Sequence, residues 1–346
     1  MLPWLDPQGN PSSLHAEGRR ARAAIDTARE RVAERMGCEF AEVVLTSGGT
    51  EACNLALVGR ALANEEPGRN RILISATEHA CVWAVAPLLR RLGYRVETIP
   101  VDRFARPLLD RVDDDVLLVA AMAANNELGT ITDVSAIVAK VRAAGATYFC
   151  DAVQTAGPTD ADLVAIAGHK IGGPRGVGAL IVRAGTRIEP FVAGGAQERE
   201  RRGGTEDTAA IVGLGTACAL PLPSLRPARD AFLDTLGAVE SVPRGETLAG
   251  HAHVRFPGVE AETLLLALDR AGIAASAGAA CASGSLEPSH VLLACGWTSQ
   301  AAKEGVRFTF GWPNTVEEAG EAAARVTTVV RSLGFQAHPP TDGPAA

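Results

Sequence analysis

Short apolar runs alternate with helix-spaced stretches along the first two thirds of the chain. Runs at 43–45, 72–75, Val116–Ala120, 148–150 and Leu163–Ala167 hold few or no polar residues. Such unbroken runs are the signature of strands buried on both faces. The stretches 52–63 and 135–144 between them read as helices, as does 21–36, where Ile25, Ala28, Val32 and Met36 share one face and Gly37 supplies a stop. This alternation predicts an α/β fold with a mostly parallel sheet covered by helices. Residues 1–18 read as an irregular arm, and a PLPSLRP segment at 221–227 marks a composition shift. Beyond it, strands at 253–256, 273–276 and 306–310 and a helix at 261–271 predict a smaller α+β domain. The expected division is an arm over 1–15, a large domain over 16–222, a small domain over 223–336 and a disordered Pro-rich tail over 337–346.

Two reactive side chains follow buried strands directly. The run at 148–150 ends at Asp151, and Leu163–Ala167 runs into Gly168-His169-Lys170. Parallel sheets bind ligands at such strand ends. Of the 33 Lys and Arg residues only Lys140, Lys170 and Lys303 are Lys. Arg cannot lose its proton to form a Schiff base, whereas a desolvated Lys can. Lys170 therefore reads either as the attachment point of an aldehyde cofactor, pyridoxal phosphate, with Asp151 against the pyridinium nitrogen, or as a surface Lys after a strand.

The strand at 43–45 opens into Thr46-Ser47-Gly48-Gly49-Thr50-Glu51 and a helix. Free N–H groups and the helix dipole make this turn an anion site around Gly49 and Thr50; the alternative is a plain N-cap by Thr50. His79 follows the strand at 72–75 and reads as a loop residue or a ring contact. The loop at 194–205 is polar and charge-rich, which reads as solvated surface. Cys281 stands among small residues only (SAGAACASGS), either as an accessible, reactive thiol or as a small buried hydrophobe. Arg307, set between apolar residues of a strand, suits a carboxylate.

Net charge is −7, which gives no electrostatic basis for binding nucleic acid or an anionic membrane. The seven cysteines are odd in number and form no C-x-x-C pair, which argues against a disulfide framework and a zinc ribbon. With no apolar run of membrane-spanning length and no signal-like start, the expectation is a cytoplasmic protein in a reducing compartment, with no metal.

Several motifs in order and spacing resemble those of the cysteine desulfurases, pyridoxal-phosphate enzymes of the class V aminotransferase family with the type I fold. They are GNPSSLH at 9–15, TSGGTEACNLAL at 46–57, TEHACV at 77–82, NNELG at 125–129, DAVQ at 151–154, GHKIGGPRGVGAL at 168–180, GGTED at 203–207, SLEPSHVL at 285–292 and VRF at 306–308. The resemblance spans roughly residues 8–330. It implies that Lys170 carries the cofactor and moves the Cα proton of L-cysteine, while Asp151 keeps the ring nitrogen protonated. Gln154 and Asn126 would contact the ring oxygen and the substrate, and His79 would stack on the ring as an acid/base. Thr50 with Gly49, His169 and Thr205 would hold the phosphate, Thr205 coming from the other subunit of a homodimer. Arg307 would bind the substrate carboxylate. Cys281 would take the sulfur as a persulfide, releasing alanine, and pass it to a separate acceptor protein for iron–sulfur cluster assembly or other thiolation.

The chain departs from the family pattern in three places. It starts after the strand and turn with which members usually begin. Ala167 stands where Ser usually precedes Gly-His-Lys, and loss of that hydroxyl costs about 1.5–3 kcal/mol of phosphate binding. The segment 216–252 is short. A class V aminotransferase or C–S lyase acting on another substrate, and a degenerate partner subunit without activity, are the alternative functions; the Cys281 loop favours desulfuration, since transamination needs no thiol.

Overall fold

The computed structural model describes residues 1–5, 9–110, 112–236, 238–278 and 287–335. Cys281 and the tail expected from 337 lie outside the described residues. Two compact units form. One comprises Met1–Pro100, Pro107–Ala124 and Thr132–Pro221; the other comprises Val101–Arg106, Asn125–Ile131 and the described residues from Leu222 onward.

The first unit is built on a seven-stranded sheet in the order β1-β7-β6-β5-β4-β2-β3. Its strands are β1 (Val43–Thr46), β2 (Arg71–Ser75), β3 (Arg95–Ile99), β4 (Val116–Ala120), β5 (Thr147–Asp151), β6 (Leu163–Ala167) and β7 (Gly178–Val182). From β3 to β6 all pairing is parallel. β7 runs antiparallel to both its neighbours, so β1 points the same way as β6. The mostly parallel α/β sheet expected from the apolar runs is therefore present.

Side chains alternate across the sheet. Val43, Leu45, Val164 and Ile166 face α1 (Ala16–Met36), α5 (Val134–Ala143) and α6 (Thr208–Ala219). Val44, Leu163 and Ala165 face α2 (Gly49–Leu62), α3 (Ala80–Trp83) and α4 (Ala86–Arg91). Each fully buried Ile, Leu or Val contributes roughly 1.5–3 kcal/mol, which is why both faces carry helices. Gly178 makes the closest approach. A Cβ there would lie 2.5 Å from the Ile166 carbonyl oxygen and 2.8 Å from the Gly48 backbone, so only Gly fits.

Three local expectations need correction. The first helix starts already at Ala16, inside the expected arm, because His15 Nδ1 accepts the Gly18 N–H at 3.1 Å and caps it. The edge strand β3 was not foreseen, because charged Arg95 and Glu97 interrupt its apolar pattern. The loop at 194–205 is more than solvated surface. Glu198 is buried and accepts two hydrogen bonds from Arg29, each 2.6 Å, and one from the Leu45 N–H at 2.8 Å. This bond set holds Glu198, Arg199 and Glu200 in the left-handed region at φ 48°, 57° and 64°. Arg29 sits in the apolar stripe of α1, so the pairing is invisible in either segment alone.

The second unit holds a three-stranded antiparallel sheet, β10-β9-β8, made of β8 (Val239–Glu240), β9 (His251–Arg255) and β10 (Gly305–Thr309). α7 (Arg226–Leu236), α8 (Ala261–Arg270) and α11 (Val316–Ser332) enclose its core. A second apolar cluster gathers α9 (His290–Ala294) and α10 (Ser299–Ala302) with Leu128 and Val242. The strand expected at 273–276 reduces to one bridge, Ser276 with Arg307. The apolar residues there, Ile273 and Ala275, pack on the core instead. Among the described residues no helix is long and apolar enough to cross a membrane.

The Arg29–Glu198 pair sets a stability test. Arg29→Met is expected to destabilise the protein by about 3–5 kcal/mol in urea denaturation, since it strands a buried carboxylate. Arg29→Met with Glu198→Gln should regain part of the loss, because the amide oxygen still accepts from Leu45. Equal stability of Arg29→Met and wild type would show that the pair carries no net energy.

Candidate active site

The register of the sheet gathers the reactive residues at one edge. Thr46 and Ala167 both lie opposite Gly178, so the turn after β1 and the turn after β6 emerge side by side. Asp151, the last residue of β5, is level with Ala165 of β6. Ser75, the last residue of β2, precedes Thr77-Glu78-His79 on the same carboxyl edge. Gly48, Gly49, Thr50, His79, Asp151, Gln154, His169 and Lys170 thus all belong to one edge of the first unit.

At the first of these turns Gly48 has φ +147° and is the N-cap of α2, with no side-chain cap. The plain N-cap by Thr50 is therefore not what forms; Thr50 lies inside the first turn and is exposed. A Cβ at Gly48 would meet nothing within 4 Å, so the face before the helix is open. On the other side a Cβ at Gly49 would lie 2.9 Å from Val153 and 3.4 Å from Ala167, so the turn sits directly on the ends of β5 and β6. An open face lined by first-turn N–H groups and a hydroxyl suits a phosphate.

His169 and Lys170 form a short 3-10 turn after β6 and are exposed. Burial and the neighbouring Lys170 and Arg175 charges hold His169 below the usual histidine range, so it offers a neutral N–H donor. Gln154 lies in the turn after β5 and is half-buried, and Thr205 is exposed. Among the described residues no hydrogen bond joins Thr205 to this edge.

Two carboxyls stand at the back of the edge. Asp151 is buried, and desolvation pushes it up to about 6 despite the hydrogen bond of 3.0 Å from the Val153 N–H. It is thus anionic at neutral pH, a fitting counter-charge for a cationic ring nitrogen. Glu78 is fully buried and pushed well up, by desolvation and by Asp151, against the Met122 N–H at 2.6 Å. His79 is half-buried, and its Nδ1 lies 3.0 Å from Cys81 Sγ. The edge therefore offers an amine, an anion, a phosphate cradle and an imidazole, which fit an aldehyde-bearing phosphorylated pyridine.

Sequence reasoning missed Glu78, Cys53 and Cys81. The signal was present: Cys53 follows Thr50 within one helical turn, and Cys81 follows His79 by two positions.

In the second unit Arg307 lies on β10 and donates from Nη1 to the Asn126 carbonyl oxygen at 2.6 Å. Its backbone exchanges hydrogen bonds with Ser276, and it stands opposite His253. Burial and Arg307 push His253 down to about 3, so this histidine stays neutral beside the guanidinium. The structure thus brings Arg307 and Asn126 together, the two residues expected to contact substrate. Cys281 is outside the described residues.

Comparison with known proteins adds independent findings. The family model for aminotransferase class-V matches residues 4–321. The cysteine desulfurase IscS of Methanosarcina thermophila is 37% identical, over 96% of this chain and 88% of that protein. Among solved structures, a NifS-like protein matches with a TM-score of 0.86 at 30% identity, covering 94% of this chain and 92% of that one. SspA in complex with cysteine matches with a TM-score of 0.79 at 29% identity, covering 89% of this chain and 93% of the other. With the strand-end amine and carboxylate on one sheet edge and these relatives over nearly its whole length, the chain belongs to the class-V aminotransferase family and, within it, to the cysteine desulfurases.

Proposed function

We propose that this protein is a pyridoxal-phosphate-dependent cysteine desulfurase that converts L-cysteine to L-alanine and carries the sulfur on Cys281. The observation that carries the reading is Asp151, a buried carboxylate at a strand end, on the same sheet edge as Lys170 and the open turn at Gly48. When bound, pyridoxal phosphate supplies an electron-accepting ring that stabilises negative charge at the substrate Cα.

The chain's residues do the rest. Asp151, desolvated and with few donors, favours a proton on the facing ring nitrogen. Lys170 supplies the amine for attachment and moves the Cα proton. Gly49 and Thr50, with His169, hold the phosphate through N–H and hydroxyl donors. His79 would lie against the ring and Gln154 would bond its oxygen. Arg307 binds the substrate carboxylate, and Asn126, whose carbonyl already accepts from Arg307, fixes it beside the bound amino acid. Cys281 attacks the substrate sulfur, and alanine leaves. Thr205 completes the phosphate site from the second copy of a homodimer. The persulfide is passed to a separate acceptor protein, in a reducing compartment, the cytoplasm, where Cys281 remains a thiol.

Alanine release from L-cysteine tests this, with reductant and added cofactor. Lys170→Ala and Cys281→Ala are each expected to lose alanine formation by at least a hundredfold, and Cys281→Ala should still bind cysteine. Normal turnover by Lys170→Ala would defeat the cofactor assignment, and normal turnover by Cys281→Ala would defeat the sulfur route. Ala167 offers a gain-of-affinity test. It is fully buried beneath Gly49, so a Ser hydroxyl there would face the phosphate. Ala167→Ser should tighten cofactor binding by about tenfold or more in absorbance titrations. Unchanged affinity would place the phosphate elsewhere.

A further inference from the structure

Cys53 and Cys81 take no part in the reaction above, yet both lie among its groups. Cys53 is on α2 and fully buried; Cys81 is in the first turn of α3 and half-buried. Each thiol's acidity is set first by its pairing with the other. Cys81 Sγ is 3.0 Å from His79 Nδ1, and its backbone N–H also reaches that nitrogen at 3.2 Å. Cys53 Sγ donates to Asp151 Oδ2 at 3.8 Å. Asn54 ties the two helices together, donating to the Thr50 carbonyl at 2.8 Å and the Cys81 carbonyl at 3.3 Å. The turn of α2 that carries Cys53 is thereby fastened to the turn of α3 that carries Cys81.

We propose that Cys81 and Cys53 form a redox-active dithiol, with Cys81 the attacking sulfur and Cys53 the resolving one, closed to a disulfide by oxidants of the peroxide class. The asymmetry of the pair fits these roles. The Cys53 hydrogen bond, aided by His79 and Thr50, draws the Cys81 thiol well below the ordinary range, against its burial. Cys53 is pushed well up by the same bond, by burial and by Asp151. Other described cysteines lack this activation: burial pushes Cys38, Cys150, Cys218 and Cys295 all upward. Low-pKa thiolates next to a resolving thiol are the ones peroxides oxidise.

The step balances. The Cys81 thiolate attacks one peroxide oxygen, forms a sulfenic acid and releases hydroxide, which takes a proton to become water. The Cys53 sulfur then attacks the Cys81 sulfur, its proton leaves with the departing hydroxyl as a second water, and an S–S bond forms. Two thiols are oxidised by two electrons and one peroxide is reduced. The disulfide removes the S–H that faced Asp151 and the sulfur ligand of His79. Loss of desulfurase activity on closure rests on the function proposed above; the thiol chemistry does not.

The test uses the full-length holoprotein. It is first alkylated with iodoacetamide across pH 5.5–9 under reducing conditions, and each cysteine peptide is quantified by mass spectrometry. Cys81 should titrate at least one unit below the ordinary thiol value of about 8.5 and react roughly tenfold faster than Cys218 at pH 7. In His79→Ala the Cys81 profile should move upward. A fresh sample then receives one equivalent of hydrogen peroxide and is digested after blocking. The expected product is a Cys53–Cys81 linked peptide, lighter by two hydrogens and restored by dithiothreitol. Cys53→Ala should instead leave a dimedone-trapped sulfenic acid on Cys81. An ordinary Cys81 profile, or oxidation that spares the pair while Cys281 is consumed, would overturn the proposal. Absence of alanine release from untreated wild type would count against the enzyme reading only, because the peptide maps do not depend on turnover.

Discussion

The carboxyl edge of the large sheet depends on one close contact. Gly178 opposes both Thr46 and Ala167, and its bare Cα lets the strands β1 and β6 and the Gly48 turn converge where any side chain would collide with backbone. A single antiparallel strand inserted between two co-directional ones thus carries the first turn of α2 to the His169-Lys170 turn. Without that convergence the first-turn N–H groups of α2 and the Lys170 amine would belong to different regions of the surface.

Charge burial gives the edge its chemistry. Asp151 ends β5 and Glu78 follows β2 by three positions, and both are buried away from water. Each is therefore raised in pKa, and the first titrates near neutrality. The contrast with Glu198 is instructive. That carboxylate is equally buried but receives three hydrogen bonds, two from a guanidinium, and holds a strained loop. One buried acid is held by a guanidinium and is structural; the other two are raised in pKa by burial, which is the state in which a carboxyl can bind or exchange a proton.

Much of this was legible in the sequence because the large-domain strands are unbroken apolar runs. Val116–Ala120 and Leu163–Ala167 were readable to the residue, and Asp151 and Lys170 stood out as the first polar groups after such runs. The errors have a common cause. β3 carries Arg95 and Glu97, Glu198 finds its partner 169 residues away, and Ile273 is apolar for packing without pairing. In each case a long-range contact overrode the local pattern. The thiols were missed for the opposite reason: Cys looks like a small hydrophobe until its neighbours are known. Asn126 and Arg307 were read from separate motifs, and only the tertiary structure reveals that they bond to each other.

The scarcity of lysine has a further chemical consequence. An aldehyde in solution condenses with any accessible amine, and a lysine-rich surface would offer it dozens of competing, unproductive sites. Here Lys140 spends its ammonium on the Leu109 carbonyl at 2.6 Å, which leaves Lys303 as the lysine to rival Lys170. An arginine-dominated composition supplies positive charge while presenting almost nothing for a carbonyl to react with. Under the role proposed for Lys170, selectivity for one amine is thus written partly into the composition of the whole chain, far from that residue.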